Sequence, residues 1–222
     1  MGSTATYISL GILDAFAVFV LILKLYRLPV KEYILELGTM SVFIALVSFV
    51  LRIILNVPTM DLSMQVLLFT LFMRFVMRIK LFYGAIITGA GLGGYLILQV
   101  GIYGILLGIG FLNEHIVLQN TGIEVNFVQA LSITLAFTIG YVLKKFNLGF
   151  SFIIRPPHDF SVKEDYTTSR NKALLFWSVT TLLVLSISLP ALLNMKIVYV
   201  APLLLISFTA LYFQSLRRDI ED

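Results

Sequence analysis

One stretch, Leu81–Leu112 (LFYGAIITGAGLGGYLILQVGIYGILLGIGFL), leaves this chain few possible folds. It has no charged side chain over 32 residues and holds nine of the fifteen glycines. As one helix at about 1.5 Å per residue it would reach roughly 48 Å, against a hydrocarbon core of about 30 Å. It must therefore tilt, kink or project beyond a bilayer. Helical geometry lines up Ala90, Gly94, Gly101, Gly104 and Gly108 on one stripe. Such a stripe predicts close approach of another helix, the contact membrane helices use where lipid removes the hydrophobic drive. The opposite side presents Tyr95, Gln99 and Tyr103, four residues apart. The expectation is a central helix, packed through its glycines and walling a cavity with its polar-aromatic side. A plain packing helix with a locally satisfied Gln99 accounts for the same pattern more simply.

The rest of the chain has the same character. Hydrophobic residues make up 59%, charged residues 13%, and the mean hydropathy is +0.98. Repeated apolar runs of this length predict an all-α, polytopic membrane bundle, because lipid leaves backbone polar groups no partner outside a helix. Seven spans are expected, at about 6–25, 38–57, 62–77, 81–112, 125–143, 172–193 and 197–213, in a single membrane domain. The first span lacks a basic leader and a small-residue cleavage site, so it is expected to be retained. The longest loop, 144–171, opens with FNLGFSFII, read as lying at the interface, and continues as RPPHDF, where Pro156 and Pro157 forbid helix. The tail QSLRRDIED is expected to extend the last helix into water.

The basic residues set an orientation. Fourteen of the sixteen Lys and Arg follow spans one, three, five and seven, leaving only Arg52 and Lys196 on the other side. The positive-inside rule then puts the N-terminus outside and the C-terminus in the cytoplasm. A net charge of +4 distributed along membrane boundaries does not point to nucleic acid.

Charges within spans are costly and commonly mark a polar interior or a partner. Asp14 in span one and Arg52 in span two lie at similar depth from the same side. They are expected to approach each other, with Asp61 competing for Arg52. The functional reading is a polar pocket, with Tyr95, Gln99 and Tyr103 as further candidates, or a switchable ion pair; the structural reading is a clamp between helices, or an Arg52 that snorkels outward. Gln65, Gln99 and Gln129 are expected to hydrogen-bond between helices. Glu114, His115 and Glu124 belong to a polar loop that could form an acidic mouth or simply be solvated. In the long loop, Arg155, His158 and Asp159 are candidates for contact with a cytoplasmic partner, and Tyr166–Ser169 offers hydroxyls.

Enzymatic chemistry has no visible machinery. The chain has no cysteine, so thiolate catalysis, disulfides and cysteine metal sites are excluded. No nucleophile elbow, His-Glu-x-x-His, phosphate loop or paired acidic motif occurs. No catalytic residue, metal or cofactor is expected.

The short loops, the outside N-terminus and a last span running into QSLRRDIED resemble the membrane sensor regions of Gram-positive receptor histidine kinases of the accessory-gene-regulator type. The resemblance covers the whole chain. It implies a multi-pass sensor in a bacterial cytoplasmic membrane, and the family's phosphorylated His and nucleotide motifs are absent. The expected function is a non-enzymatic sensor, signal-input or assembly subunit, working in the bilayer with itself as a homo-oligomer or with a membrane or cytoplasmic protein. The alternative is a small transporter or substrate-binding membrane subunit, drawn from the Tyr95–Gln99–Tyr103 face and the intramembrane charges.

Overall fold

The computed structural model describes residues 2–113, 116, 119, 121–162, 164, 165, 168–194 and 197–221. Among these the chain forms seven α-helices and no strand: α1 (Gly2–Leu25), α2 (Ile34–Phe49), α3 (Asp61–Phe75), α4 (Leu81–Gly108), α5 (Ile123–Lys145), α6 (Ser169–Asn194) and α7 (Ile197–Glu221). Six stretches, Thr4–Leu25, Lys31–Ile54, Leu81–Gly108, Ile123–Lys145, Ser169–Asn194 and Tyr199–Ile220, are long and apolar enough to cross a membrane. The exception is α3. Its 15 residues rise only about 22 Å.

The ends of the helices alternate between two ends of the bundle. At one end, the segment between α5 and α6 touches the close of α1, the α3–α4 junction and the close of α7. There Phe150 N–H donates to Leu25 O (2.8 Å), His158 N–H to Arg78 O (2.9 Å) and Phe152 N–H to the Asp219 carboxylate (3.0 Å). At the opposite end, Ser63 near the start of α3 donates to Ser186 O in the last third of α6 (2.9 Å). α3 therefore runs from one end to the other despite its length.

α4 is central, packing against α1, α3, α5, α6 and α7. It stops at Gly108 rather than reaching Leu112. Gly110 takes φ +75°, its N–H bonds Leu107 O (3.0 Å), and Phe111 N–H bonds Leu106 O (3.0 Å). These two bonds close the last carbonyls in a Schellman turn, which a glycine in the left-handed region makes easy. At the other boundaries, α6 begins at Ser169 and α7 continues to Glu221. The tail does not simply enter water, because Ser215 and Arg218 are buried.

The close approach on α4 lies elsewhere than the glycine spacing predicts. Gly101, Gly104 and Gly108 are exposed, and a Cβ added to any of them would meet nothing within 4 Å. Of the four predicted glycines only Gly94 faces another helix, where a Cβ would lie 3.3 Å from the Phe208 ring. The tight contact is at Gly91, where a Cβ would overlap the Ile22 side chain of α1. A helix that is apolar all round does not reveal how far a stripe stays in contact: Ala90 and Gly94 of the predicted stripe are packed, and the turns beyond them are not.

Between the two ends lies a dense core. The Phe19 ring sits 4.4 Å from Phe69 and 4.8 Å from Phe72, centroid to centroid. Ile22, Leu23, Met73, Met77, Ile86 and Ile87 have no exposed surface.

Candidate functional site

Above this core, away from the 146–168 segment, the helices part around a cavity of about 250 Å³. The polar part of its wall is drawn from five helices. α1 contributes Tyr7 and Asp14, α2 and the turn after it Ser48 and Arg52, α3 Asp61 and Gln65, α4 Tyr95, Gln99 and Tyr103, and α5 Gln129. Asp14, Arg52, Tyr95, Gln99 and Tyr103, the five residues singled out by their chemistry, thus border one space. Tyr103 also packs with Leu112 and Ile116 of the α4–α5 connection, which adds Ile116 and Gln119 to the lining.

The expected Asp14–Arg52 contact is replaced by two separate arrangements. Arg52 Nε donates to Asp61 Oδ2 at 2.5 Å, and Gln65 Nε2 donates to the same oxygen at 3.1 Å. Asp61 is wholly buried, its side chain 1% exposed against 28% for Arg52. Arg52 stands in a π-helical turn, Val50–Ile54, closed by Leu55 N–H to Val50 O (2.8 Å). Such wide turns recur at functional sites. The turn and the α2–α3 connection after it bring Arg52 and Asp61, nine residues apart, into contact. Asp14 instead accepts a hydrogen bond from the Tyr95 hydroxyl. Gln129 also bonds Asp14, and Gln99 bonds Tyr95. The α5 glutamine, the α1 carboxylate and the α4 tyrosine and glutamine form one chain of hydrogen bonds across three helices. Tyr7, which the sequence reading passed over, bonds Ser48 (3.1 Å). It was legible in principle, because Tyr7 and Asp14 are seven residues apart and so share a helix face.

The 146–168 segment uses the predicted partner residues internally. Arg155 pairs with Glu32, both of them exposed. Asp159 accepts from the N–H and hydroxyl of Ser161 (2.8 Å each), a local turn. His158 is wedged at the α3–α4 junction, edge-on to Tyr83 (5.5 Å), with Nδ1 accepting from Lys80 N–H (3.4 Å) and Nε2 at 2.8 Å from Ile154 O. Lys80 and Tyr83 both bond Glu164, at 2.7 and 3.0 Å. Of the apolar run before it, Phe150 and Ile153 are buried, while Phe146, Leu148 and Ile154 are exposed. Phe150 packs between the tilted rings of Tyr26 (5.3 Å) and Tyr212 (5.2 Å). Gly149 permits this docking: it takes φ +103°, and a Cβ there would come within 2.5 Å of Leu25 O. Glu114, His115, Lys163, Tyr166, Thr167 and Lys196 lie outside the described residues.

Burial, seconded by the Lys80 charge, holds the His158 imidazole below its ordinary range; its bond to Ile154 O and Glu164 act the other way. The unfolded chain then binds the proton more readily, so the contribution of neutral His158 is complete above about pH 6.5 and is lost as pH falls below it. Amide exchange across 150–162, corrected for intrinsic rates, is expected to quicken between pH 7.5 and 5.5. The His158→Phe variant should flatten that dependence; an unchanged pH profile in it would remove His158 from the account.

Comparison of the chain with protein-family models, with curated proteins and with solved structures finds no match.

Proposed function

We propose that this chain is a seven-span membrane module, with no chemistry of its own, that binds a small ligand in the outer half of its bundle and reports occupancy at its cytoplasmic end. The observation that carries the reading is the cavity walled by Asp14, Tyr95, Gln99 and the Arg52–Asp61 pair above a solid aromatic core. A pocket with a few convergent polar groups among apolar side chains is the usual form of a small-molecule site. The N-terminus lies outside and the C-terminus in the cytoplasm, by the distribution of Lys and Arg; a bacterial membrane is what the resemblance to receptor histidine kinase sensor regions implies. α3 with its lead-in turn Pro58–Met60 rises about 28 Å, which supports counting it as the seventh crossing.

Sensing is favoured over transport for two reasons. Below the cavity, Phe19, Phe69, Phe72, Met73 and Ile87 are buried and pack the bundle on the side of the basic end. α1 also touches both sites: Asp14 faces the cavity, while Leu25 O and Tyr26 hold the 146–168 segment and α7, where the Tyr26 and Ser215 hydroxyls lie 3.4 Å apart. A shift of α1 on ligand binding has a direct mechanical route to the last helix. A partner protein or a second copy would receive it there.

Native mass spectrometry of the protein released gently from its own membrane tests the binding. A retained small molecule is expected on the native chain and is expected to be lost from Tyr95→Phe together with Gln99→Leu. Retention by that double variant would move the site elsewhere. The transport alternative predicts that liposomes bearing the purified protein accumulate the retained compound, and that Gln99→Leu slows the uptake.

A further inference from the structure

The charge and hydrogen-bond state of the cavity wall select a class of ligand. Counted at their formal charges, Asp14 and Asp61 bring two negative charges to the wall and Arg52 one positive charge, while the remaining polar lining consists of tyrosine, serine and glutamine. One negative charge is left over, in a place where an uncompensated carboxylate is expensive. Both carboxylates belong to the lining of this one cavity.

The second observation is independent of the charge sum. Asp61 Oδ2 is engaged by Arg52 and Gln65, but Asp61 Oδ1, fully buried in the wall, has no hydrogen-bond partner among the described residues. A buried carboxylate oxygen without a donor costs on the order of its desolvation. Asp14 receives bonds from Tyr95 and Gln129, two donors for a group that can accept about four. The capacity left open on both carboxylates is acceptor capacity, so an occupant must bring N–H or O–H donors and, to settle the charge, one positive charge. No group of three acidic or histidine side chains that could hold a metal ion converges among the described residues. The neighbouring walls are apolar, with Ile44, Leu92, Leu96 and Val100.

We propose that the cavity binds a protonated amine on a small apolar body, its ammonium group donating to Asp14 and, once a small shift of the wall admits it, to Asp61 Oδ1, while the body lies against Leu92, Leu96 and Val100. This rests on the pocket reading above and adds the charge and size of the occupant. A space of about 250 Å³ is smaller than the roughly 300–1,000 Å³ of drug-sized sites, which suits a small amine or the amino end of a longer molecule.

The test compares phenethylamine and 3-methylbutylamine with the alcohols of the same shape, 2-phenylethanol and 3-methylbutanol, and with sodium chloride alone. Thermal stabilisation of the whole chain in lipid nanodiscs is followed at pH 7. Each amine is expected to act at a concentration roughly tenfold lower than its alcohol, since a charge-assisted bond is about twice as strong as a neutral one. Asp14→Asn removes the charge while leaving an acceptor for Tyr95, and should abolish the preference. Should that variant fold poorly, Arg52→Gln/Asp61→Asn removes the ion pair without stranding a charge, and amine affinity should fall there too. Equal action of amine and alcohol would overturn the charged-ligand inference and leave the pocket reading standing. Sodium giving the same shift and displacing the amines would make it an inorganic cation site and overturn the proposal. Amine binding that survives both variants, or no response to any probe, would also overturn it; the pocket reading is then judged by the retained molecule alone.

Discussion

Arg52→Leu is expected to lower the unfolding stability of the protein by roughly 3–5 kcal/mol, the usual cost of removing one partner from a buried ion pair. The effect comes less from the bond that is lost than from the group left behind. Asp61 has no exposed surface, and its Oδ1 already lacks a donor, so without Arg52 it keeps only the Gln65 amide. Water cannot cheaply replace the guanidinium in an apolar bundle. Replacing both residues, Arg52→Leu with Asp61→Leu, should recover most of the loss, because no charge is then stranded. Arg52→Lys should fall between, since a point charge does not reproduce the geometry of the guanidinium. Reversible unfolding in mixed detergent micelles measures all three. A single Arg52→Leu variant within about 0.5 kcal/mol of the native chain would show the pair to be an exposed contact of small value.

Gly91→Ala should be nearly as damaging, by roughly 2–3 kcal/mol, through overpacking at the α1–α4 contact. The added methyl would overlap Ile22, which has no exposed surface and no space to move into beside the Phe19–Phe69–Phe72 cluster. Separating α1 from α4 also alters the cavity, since Tyr95 is one turn beyond Gly91 and bonds Asp14 of α1. Ile22→Ala alone should cost roughly 2–4 kcal/mol by leaving a void. Combined with Gly91→Ala it should cost clearly less than the sum, because the methyl then occupies the space that Ile22 gave up. Gly104→Ala is the control. Its Cβ would meet nothing within 4 Å, and alanine is the better helix former, so stability should be unchanged or slightly raised. Equal damage at Gly104 and Gly91 would contradict this assignment of the close contact.

Much of the architecture could be read from residue types alone, for reasons specific to an apolar solvent. Runs such as Leu81–Gly108 must be helical because lipid offers the backbone nothing else. Asp14, Arg52, Tyr95, Gln99 and Tyr103 could be grouped in advance because polar side chains in such helices turn away from lipid, and the five lie at comparable depths. Helix ends were legible where a proline or a basic cluster marks them and less so elsewhere. The Schellman turn at Gly110 depends on three-dimensional closure that Ile109–Leu112, as apolar as the helix before it, does not announce.

The sequence by itself determined which segments are helical, which end of the bundle gathers the basic residues, and which half of it holds the polar side chains. Each of these follows from the chemistry of a residue against its surroundings, lipid or water, and needs no knowledge of a neighbour. The tertiary structure decided the pairings. Arg52 meets Asp61 rather than Asp14, Gly91 rather than Gly101 or Gly104 receives another helix, and His158 and Asp159 serve the 146–168 segment's own docking. The physical reason is rotational. A helix apolar on every side gains the same burial at many azimuths, so its neighbours are chosen by the close fit of particular side chains, and that fit exists only once all seven helices are assembled.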